Sequence, residues 1–422
     1  MSRRLRILAC LLCVVTLTSA SPADDPPADW IDPDTGHRVI RLSVEAGSQT
    51  LYFHDNAYSP EGDKYVFSSP SGIMLLDLTN LGKQPPKPEL IVPGGVGAYM
   101  ARRTREAYFT RRGAANGGVF AYNIDTKTTR AVPHAVRTLI NADETITVAA
   151  INAEDPSGNT PRPAEREPRP QLERMFPGKT LAQLSPEQQY AVTKEDGLAR
   201  RAINPQGMAF TFTNLKTGDA RTVGYAYAWL NHMQFNPTDP TLLLYCHEGT
   251  WHEVDRIWTM RTDGTETTLR HKRTMDMEIA GHEFWSFDGK TIWFDLQTPR
   301  SQVFWIAGVD IASGKETRYH IDRDAWSVHY NVSRDNTLFM GDGGDDTQVA
   351  FSKNGTWINL FTVVGDSLKR EKLVNMAKHN YVTGRGGVEP NGSITPDKRW
   401  VIFTGNFHGA RHVYAVEIAK AS

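Results

Sequence analysis

Seven copies of a short phrase run along this chain, and three of them begin with histidine. Each copy has a leading residue, two spacers, an apolar residue and, in most copies, a turn of Ser, Asp, Asn, Pro or Gly type. The leading residues are Asp55, Gly97, Arg137, His232, His282, His329 and Asn391. Imidazole nitrogens bind divalent metals and accept protons near neutral pH. Three histidines in one register therefore indicate a shared site.

The spacing of the phrase predicts the elements that position these residues. Short apolar segments such as "LLLYC" and "RWVIF" follow most of the turns. Repeats of about 40–50 residues, each with several short strands, are typical of a β-propeller. We predict an all-β fold, a seven-bladed β-propeller, in which each phrase begins the innermost strand of a blade. The leading side chains should then point to the central channel at one rim.

One interval between phrases is much longer than the others. From Arg137 to His232 the chain runs 95 residues, which leaves an insertion at about residues 154–201. It is rich in proline, and "SPEQQYAV" offers Ser185 as an N-cap with Pro186 at the first helical position. We predict a Pro-rich, partly helical insertion before the fourth blade that lies across one rim. Loops of this length are more often functional than decorative.

The N-terminus has the form of an export signal. Arginines precede an apolar run from Ile7 to Leu17, and small residues follow up to Ala20, which predicts a signal peptide at residues 1–20. Residues 21–30 are predicted to form a flexible leader, and 31–422 one propeller. We expect a periplasmic or secreted protein, without membrane attachment after cleavage. Cys246 is then the single cysteine of the mature chain, which excludes an intramolecular disulfide.

The overall charge excludes some partners. The formal net charge is −1 and 23% of the residues are charged. No field of one sign favours nucleic acid as a partner. An anionic substrate would have to be bound by local groups.

The densest polar segment is "LNHMQFNPTDPTLLLYCHEGTWHEVDRIW". His232 opens one strand and His247 ends the next, so in an antiparallel hairpin both imidazoles should meet at one rim. A tryptophan-containing loop with His252 follows. Aromatic faces stack on sugar rings while polar groups fix their orientation. The segment therefore favours a carbohydrate site.

The later blades add groups that could bind a metal. His282, His329, Glu389 and Asn391 occur at or beside the leading positions of blades five to seven. Imidazole, carboxylate and amide ligands suit Mn²⁺, Zn²⁺ or Ca²⁺ rather than an ion that prefers thiolates. Neighbouring inner strands would bring these residues together although they lie far apart in sequence.

The motifs "CHEG", "VDRIW", "GHEFW" and "TPD", spread over Leu230–Ile418, resemble the oligogalacturonate lyases. That family consists of seven-bladed propeller polysaccharide lyases. The resemblance implies an enzyme of pectin degradation that cleaves α-1,4-linked galacturonides by β-elimination, with Mn²⁺ in the channel. An acidic oligosaccharide would be its substrate. His282 matches the metal ligand of the family's "HEFW" motif.

The chain departs from the family pattern in its last ligand run. There the family has Gln, two residues and then His-Pro-His, whereas this chain has Gly386 and then Glu389-Pro390-Asn391. Oxygen ligands still suit Mn²⁺ or Ca²⁺, so we predict a metal held by His282, Glu389 and Asn391. Alternatively, the metal is lost and Asn391 contacts the substrate.

The remaining roles follow from the chemistry of β-elimination. The reaction needs a group that neutralises the uronate carboxylate, a base and a proton donor for the leaving oxygen. His232 or His247 is the predicted base. The family's catalytic arginine could be Arg137, Arg201 or Arg256. We assign catalysis to His232, His247 and Arg256, and substrate binding to Arg137, Arg201, His252 and His329. His329 could also be a metal ligand.

Two other functions stay open at this point. Hydrolysis by paired carboxylates would make the chain another carbohydrate-active enzyme of propeller fold. Exported propellers with a similar phrase also include non-catalytic binding modules that resemble TolB. The lyase accounts best for the histidines in register.

Overall fold

The computed structural model describes residues 26–113, 118–164, 167–203, 205–382 and 386–421. These residues form seven antiparallel sheets, each a blade of a propeller. The predicted seven-bladed, all-β fold is thereby confirmed. The predicted signal peptide, 1–20, and the first leader residues lie outside the described residues.

The blades follow one another along the chain. The N-terminal strands are β1 (Asp29–Ile31) and β2 (His37–Arg41). The first blade contains β3 (Lys64–Ser69), β4 (Gly72–Asp77) and β5 (Glu89–Pro93). The second contains β6 (Gly95–Met100), β7 (Glu106–Arg111), β8 (Val119–Asn123) and β9 (Thr128–Val132). The third contains β10 (Ile146–Asn152), β11 (Gly207–Asn214) and β12 (Ala220–Tyr227).

Four strands build each of the next three blades. The fourth contains β13 (Trp229–Phe235), β14 (Leu242–Glu248), β15 (Ile257–Arg261) and β16 (Thr268–Leu269). The fifth contains β17 (Ile279–Trp285), β18 (Thr291–Gln297), β19 (Phe304–Asp310) and β20 (Glu316–Ile321). The sixth contains β21 (Tyr330–Val332), β22 (Leu338–Gly341), β23 (Trp357–Val364) and β24 (Ser367–Asn375). The seventh contains β25 (Ser393–Ile394), β26 (Trp400–Gly405) and β27 (His412–Lys420).

The two ends of the described chain meet in the seventh blade. Its strand order is β1-β2-β27-β26-β25, and Val39 of β2 lies opposite Val416 of β27. The N-terminal strands therefore complete the sheet that the C-terminal strands begin. This pairing closes the ring and fixes the geometry of the channel.

Apolar side chains fill the space between neighbouring blades. Trp293 of blade five packs edge-on against Phe339 of blade six, with ring centroids 4.8 Å apart. Phe210 of blade three meets Tyr245 of blade four in the same way, at 4.8 Å. Burial of such aromatic pairs stabilises the contacts between blades.

The repeated turn has the same geometry in five blades. A backbone N–H donates to the carbonyl three residues earlier at distances of 2.8–3.0 Å, and the donor has a positive φ. The five pairs are Gly62 to Ser59, Glu144 to Asn141, Gly289 to Ser286, Asn336 to Ser333 and Lys398 to Thr395. Turns of this type reverse the chain between antiparallel strands. The sequence phrase thus corresponds to a structural repeat.

A positive φ angle also recurs at the leading residues of the phrase. Gly97, His232, His282 and Asn391 have φ values of 63°, 49°, 49° and 48°. The pairing register shifts around the first three of them, which marks a β-bulge in each innermost strand. A bulge changes the direction of the side chain it carries. A non-glycine residue in this conformation costs about 1–2 kcal/mol, as is often found at functional sites.

The insertion leaves the propeller inside the third blade, between β10 and β11, and so before the fourth blade as predicted. It carries α1 (Gln171–Met175) and α2 (Pro186–Ala202). The N-terminus of α2 is capped as predicted, because the Ser185 hydroxyl accepts from the Gln188 N–H and the Gln188 side chain accepts from the Ser185 N–H. No helix in the described part of the chain is long and apolar enough to span a membrane.

Candidate functional site

The histidines at the leading positions lie close together, as the sequence predicts. The rings of His282 and His329 have centroids 4.6 Å apart. The Tyr52 ring lies 5.9 Å from His232 and 5.4 Å from His329. The inner strands of blades four, five and six therefore contribute to one cluster in the channel.

Arg256 occupies the centre of a buried charged group. Its Nη1 donates to Oε1 of Glu248, and its Nη2 lies 3.8 Å from Oε2 of Glu283. The guanidinium also stacks on Trp251, 4.4 Å from the ring centroid, and the Trp251 Nε1 donates to Glu248 at 3.1 Å. Burial alone would raise the pKa of Glu248, but Arg256 and His232 hold it below its usual range. The Glu248 carboxylate is therefore ionised.

His232 is joined to this group through Glu248. Its Nε2 lies 3.4 Å from Oε2 of Glu248, and the imidazole is partly exposed. A carboxylate in this position favours the tautomer with hydrogen on Nε2. The Nδ1 lone pair of His232 is then available to accept a proton.

His329 is oriented by Asp342, and both side chains are fully buried. The His329 Nδ1 lies 2.9 Å from Oδ2 of Asp342, and the His329 N–H donates to Oδ1 at 2.8 Å. Burial alone would lower the pKa of His329, but Asp342 raises it. The His329 Nε2 lies 3.8 Å from Oε2 of Glu389. Histidines held by a carboxylate at one nitrogen are typical metal ligands through the other.

His282, Trp251 and Glu389 line a cavity of about 110 Å³, which we call the histidine cavity. The His282 Nδ1 and the His329 Nε2 are buried, and neither has a hydrogen-bond partner among the described residues. Burial and the neighbouring His329 keep the pKa of His282 well below its ordinary value, so that its imidazole is neutral. Two imidazoles and the Glu389 carboxylate fit a divalent cation such as Mn²⁺.

Asn391 is close to this group, but its amide is already used. Its Oδ1 accepts from the Phe53 N–H at 3.2 Å, and its Nδ2 donates to the Glu389 carbonyl at 3.0 Å. Its own N–H donates to Asp342 at 3.2 Å. The oxygen that the sequence prediction assigns to a metal thus holds neighbouring backbone instead. Asn391 makes these contacts in a left-handed backbone conformation, with φ of 48°.

A second set of possible metal ligands lies beside the first. Potential ligand atoms of His232, Cys246 and Glu248 lie within 4.8 Å of one another. However, Arg256 and Trp251 already donate to Glu248, and burial raises the pKa of the Cys246 thiol well above its ordinary value. A protonated thiol and a carboxylate paired with arginine are poor ligands. The ligand atoms of His282, His329 and Glu389 do not all lie within this distance of one another in the structure, but two imidazoles and a carboxylate without an arginine partner are the better ligands by their chemistry.

Three aromatic residues that sequence reasoning missed complete the cluster. Tyr52, Phe53 and His54 come from the segment between β2 and β3, which links the closing strand to the first blade. Phe53 stacks on His329 with centroids 4.5 Å apart, and the His54 ring lies 6.2 Å from His232. The signal was present, because "LYFH" directly precedes the first leading residue.

His247 faces a different cavity from the one predicted. Its ring stacks on Trp258, with centroids 4.8 Å apart and planes inclined by 18°. Adjacent residues of β14 alternate between its two faces. His247 therefore points away from the side that carries Cys246 and Glu248, and the predicted meeting of His232 with His247 does not occur. Burial lowers the pKa of His247 to about 4.

His247 and Trp258 line a larger cavity of about 710 Å³, which we call the tryptophan cavity. Trp229 and Arg201 also line it, and the Arg201 guanidinium lies 3.3 Å from the Trp229 ring centroid. Glu248 borders this cavity from the side of the buried charged group. Aromatic faces beside a cation suit an acidic sugar.

The two other residues predicted to bind substrate lie apart from these cavities. His252 is fully buried, its Nδ1 is 3.2 Å from Nη1 of Arg300, and burial together with Arg300 lowers its pKa to about 3. Arg137 is exposed on the third blade, where its carbonyl accepts from the Thr147 hydroxyl. The structure therefore gives His252 a role in packing and does not bring Arg137 into the histidine cluster.

The insertion lies over the site. Residues of the N-terminal half of α2 line the histidine cavity, and residues of its C-terminal half line the tryptophan cavity. Glu195 of α2 forms a buried ion pair with Arg300 at 2.9 Å. Arg174 of α1 lies 3.2 Å from Glu253 in blade four. These pairs fix the insertion to the rim, as the sequence predicts.

Known structures share this fold over nearly the whole chain. An oligogalacturonate lyase in complex with manganese superposes with a TM-score of 0.69 at 18% identity, covering 93% of this chain and 96% of that one. The oligogalacturonate lyase of Vibrio parahaemolyticus gives a TM-score of 0.68, also at 18% identity, with the same coverage. At this identity the likeness shows the fold alone.

Sequence relatives match about half of the chain. The oligogalacturonide lyase of Pectobacterium atrosepticum is 28% identical over 230 residues, which are 50% of this chain and 57% of the relative. The oligogalacturonate lyase of Dickeya dadantii is 29% identical over 231 residues, with the same shares. The chain thus spans little more than half the length of these curated relatives. The sequence model described as oligogalacturonate lyase matches residues 204–422, slightly more than half of the chain, and the protein therefore belongs to that family.

Proposed function

We propose that this protein is a lyase that cleaves short, uronate-containing oligosaccharides of the galacturonide type by β-elimination. One observation carries the proposal. The channel places the His232 imidazole, paired with Glu248, in one cluster with His282, His329 and Glu389, and the His282 Nδ1 and His329 Nε2 have no hydrogen-bond partner among the described residues. Membership of the family supports the same reaction class.

β-Elimination removes the proton at C5 and breaks the bond between C4 and the glycosidic oxygen. The electron pair of the C5–H bond becomes the new C4–C5 double bond, and the leaving oxygen takes up a proton. Negative charge grows on the C6 carboxylate in the transition state and must be stabilised there. The reaction thus needs a cationic group at the carboxylate, a base and a proton donor.

A divalent cation would be held by His282, His329 and Glu389. The predicted third ligand, Asn391, is replaced in this proposal by His329, because the Asn391 amide is bound to backbone groups. The cation would supply a Lewis acid that neutralises the C6 carboxylate. Asp342 would keep the His329 ring in the orientation that directs Nε2 toward Glu389.

His232 is the proposed base. Glu248 holds hydrogen on Nε2, so Nδ1 accepts the C5 proton, and the imidazolium that forms is stabilised by the same carboxylate. Arg256 positions Glu248 and neutralises its charge in the resting state. Burial alone would lower the pKa of Arg256, but the neighbouring acidic groups raise it above its ordinary value. The guanidinium therefore stays protonated and does not act as the base.

Tyr52 is the proposed proton donor for the leaving oxygen. Its ring lies between those of His232 and His329. Burial, with Glu389 and Glu283, raises the pKa of Tyr52 above its ordinary value, so the hydroxyl remains protonated at neutral pH. Phe53 and Trp251 would exclude water from this side of the cavity.

The tryptophan cavity would bind the neighbouring sugars of the chain. Trp229 and Trp258 are each covered on one face, by Arg201 and His247, and would offer their remaining surface to a sugar, while Arg201 would offer a cation for a second carboxylate. His247 would act there as a binding residue rather than as the base, because its ring is stacked on Trp258. Because the sequence predicts an export signal, we also propose that the oligosaccharide is cleaved in the periplasm or outside the cell.

The test is incubation with tri- and tetragalacturonate, following the ultraviolet absorbance of the unsaturated uronate product. We expect absorbance to rise, and to stop rising after treatment with a chelator and return on addition of Mn²⁺. Release of saturated sugars alone would replace the lyase by a hydrolase. Binding of the oligosaccharide without any cleavage would replace it by a binding module.

A further inference from the structure

One flank of α2 carries two cations toward the site. At about 100° per residue, Lys194 and Arg201 lie seven positions apart and thus within about 20° of each other around the helix axis. Along the axis they are separated by about 10 Å. Ala191, Glu195 and Ala199 are buried and attach the adjacent side of the helix to the propeller.

Each of the two cations faces a different cavity. Lys194 lines the histidine cavity together with His282 and Glu389. Arg201 lines the tryptophan cavity. Trp251 and Glu248 lie between the two cavities. Trp251 lines the histidine cavity, and its Nε1 donates to Glu248, which lines the tryptophan cavity.

The insertion is held rigidly enough to place these charges. Arg300, which also lines the histidine cavity, pairs with Glu195 one residue after Lys194, and both side chains are about 6% exposed. In contrast, Lys194 is exposed and makes no ion pair with a carboxylate in the described part of the chain. Arg300 is already paired with Glu195, whereas the exposed ammonium group of Lys194 is available to bind an anion from solution.

We propose that α2 is a substrate clamp, in which Lys194 and Arg201 bind the carboxylates of two different sugars of one acidic oligosaccharide. This inference rests on the proposed function, since it names residues that recognise the same substrate class. The oligosaccharide would lie along α2, with the sugar to be cleaved beneath Lys194 and a neighbouring sugar beneath Arg201. The insertion would then determine specificity for an oligouronide over a single uronate.

The experiment measures binding separately from cleavage. Dissociation constants for trigalacturonate are determined by calorimetry in the His232→Ala background, with the substitutions Lys194→Gln, Arg201→Gln and both together. Removing the charge-assisted hydrogen bond to one carboxylate should weaken binding about tenfold. The double variant should bind more weakly by about the product of the two single effects, and Lys194→Arg should retain most of the affinity.

The matched control is Lys179→Gln, an exposed lysine of the same insertion that precedes α2. It should leave the dissociation constant unchanged. Unchanged binding in Lys194→Gln, or an equal weakening in Lys179→Gln, would overturn the clamp. Binding that depends on Lys194 in a protein that never forms an unsaturated product would keep the clamp and refute the lyase. Galacturonate monomer, which can use only one of the two cations at a time, should bind the native protein more weakly than the trimer does, and a monomer as tightly bound as the trimer would also overturn the proposal.

Discussion

Asp342 holds His329 through two contacts, one from its Oδ2 to the imidazole Nδ1 at 2.9 Å and one from its Oδ1 to the backbone N–H at 2.8 Å. The remaining nitrogen, Nε2, is directed to Glu389. The orientation of His329 therefore depends on the carboxylate of the residue that directly follows the neighbouring strand β22.

The substitution Asp342→Asn should weaken metal binding while leaving the fold intact. The asparagine oxygen can still accept a hydrogen bond but no longer stabilises the tautomer or the basicity of His329, which typically costs about 10- to 100-fold in metal affinity. Calorimetric titration with Mn²⁺ measures the change. Asp345→Asn in the same loop serves as the control, and equal Mn²⁺ affinity in Asp342→Asn and the native protein would exclude His329 as a ligand.

The substitution Arg256→Met should strongly destabilise the protein. It leaves Glu248 and Glu283 buried without their cation, and breaking a buried pair in this way costs about 3–5 kcal/mol. The free energy of unfolding is measured by denaturant titration. The triple variant Arg256→Met, Glu248→Gln, Glu283→Gln should recover much of this stability. A single variant as stable as the native protein would show that the charges are not coupled.

The substitution Gly197→Ala separates stability from binding. A Cβ at this position meets no atom within 4 Å, so the helix should gain about 0.5–1 kcal/mol. Gly197 is exposed on the side of α2 opposite the buried residues, so the added methyl group should leave trigalacturonate binding unchanged. Thermal unfolding and calorimetry measure the two effects. A more stable variant with weakened affinity would place the sugar on the outer face of α2.

The sequence predicted the propeller fold and its blades better than the direction of individual side chains. The phrase located the inner strands of five blades and single bridges at Tyr58 and Ile140 in blades one and three, because each copy combines a turn with an apolar strand, and both are local signals. It also selected His232, His282 and His329. His247 was misplaced because the bulge at His232 and the alternation along β14 together decide which residues share a face.

Other parts of the site depend on interactions between distant segments. In the sequence, Asp342 is one of several acidic residues in a glycine-rich turn. Its contact with His329 depends on the pairing of β21 with β22, which brings the two residues together. The position of α2 over the channel rests on Glu195 with Arg300 and on Arg174 with Glu253, pairs that are about 80–105 residues apart. Tyr52 reaches the cluster because the N-terminal strands close the seventh blade.

Stability should also depend on pH through His271, far from the proposed chemistry. His271 is buried, with Nδ1 and Nε2 each 2.8 Å from a carboxylate of Glu316 and Glu278. Burial alone would lower the pKa of His271, but the two carboxylates raise it. The stabilisation is therefore fully present below the unfolded pKa of about 6.5 and disappears as the pH rises through the higher folded pKa.

This effect is measured as the difference in Tm between the native protein and His271→Gln. The difference should be large at pH 5.5 and smaller at pH 9. Lys290→Gln, an exposed change in blade five, should show no such trend. A difference that stays constant over this range would mean that the charge of His271 does not contribute.

The most direct test of the proposed mechanism is the product formed from trigalacturonate by the native protein loaded with Mn²⁺ and by its His232→Ala variant. Mass spectrometry and ultraviolet absorbance identify the product. The mechanism predicts an unsaturated uronate from the native protein and a decrease of at least about 100-fold in kcat for His232→Ala, with trigalacturonate still bound. Saturated products, or a His232→Ala variant as active as the native protein, would contradict it.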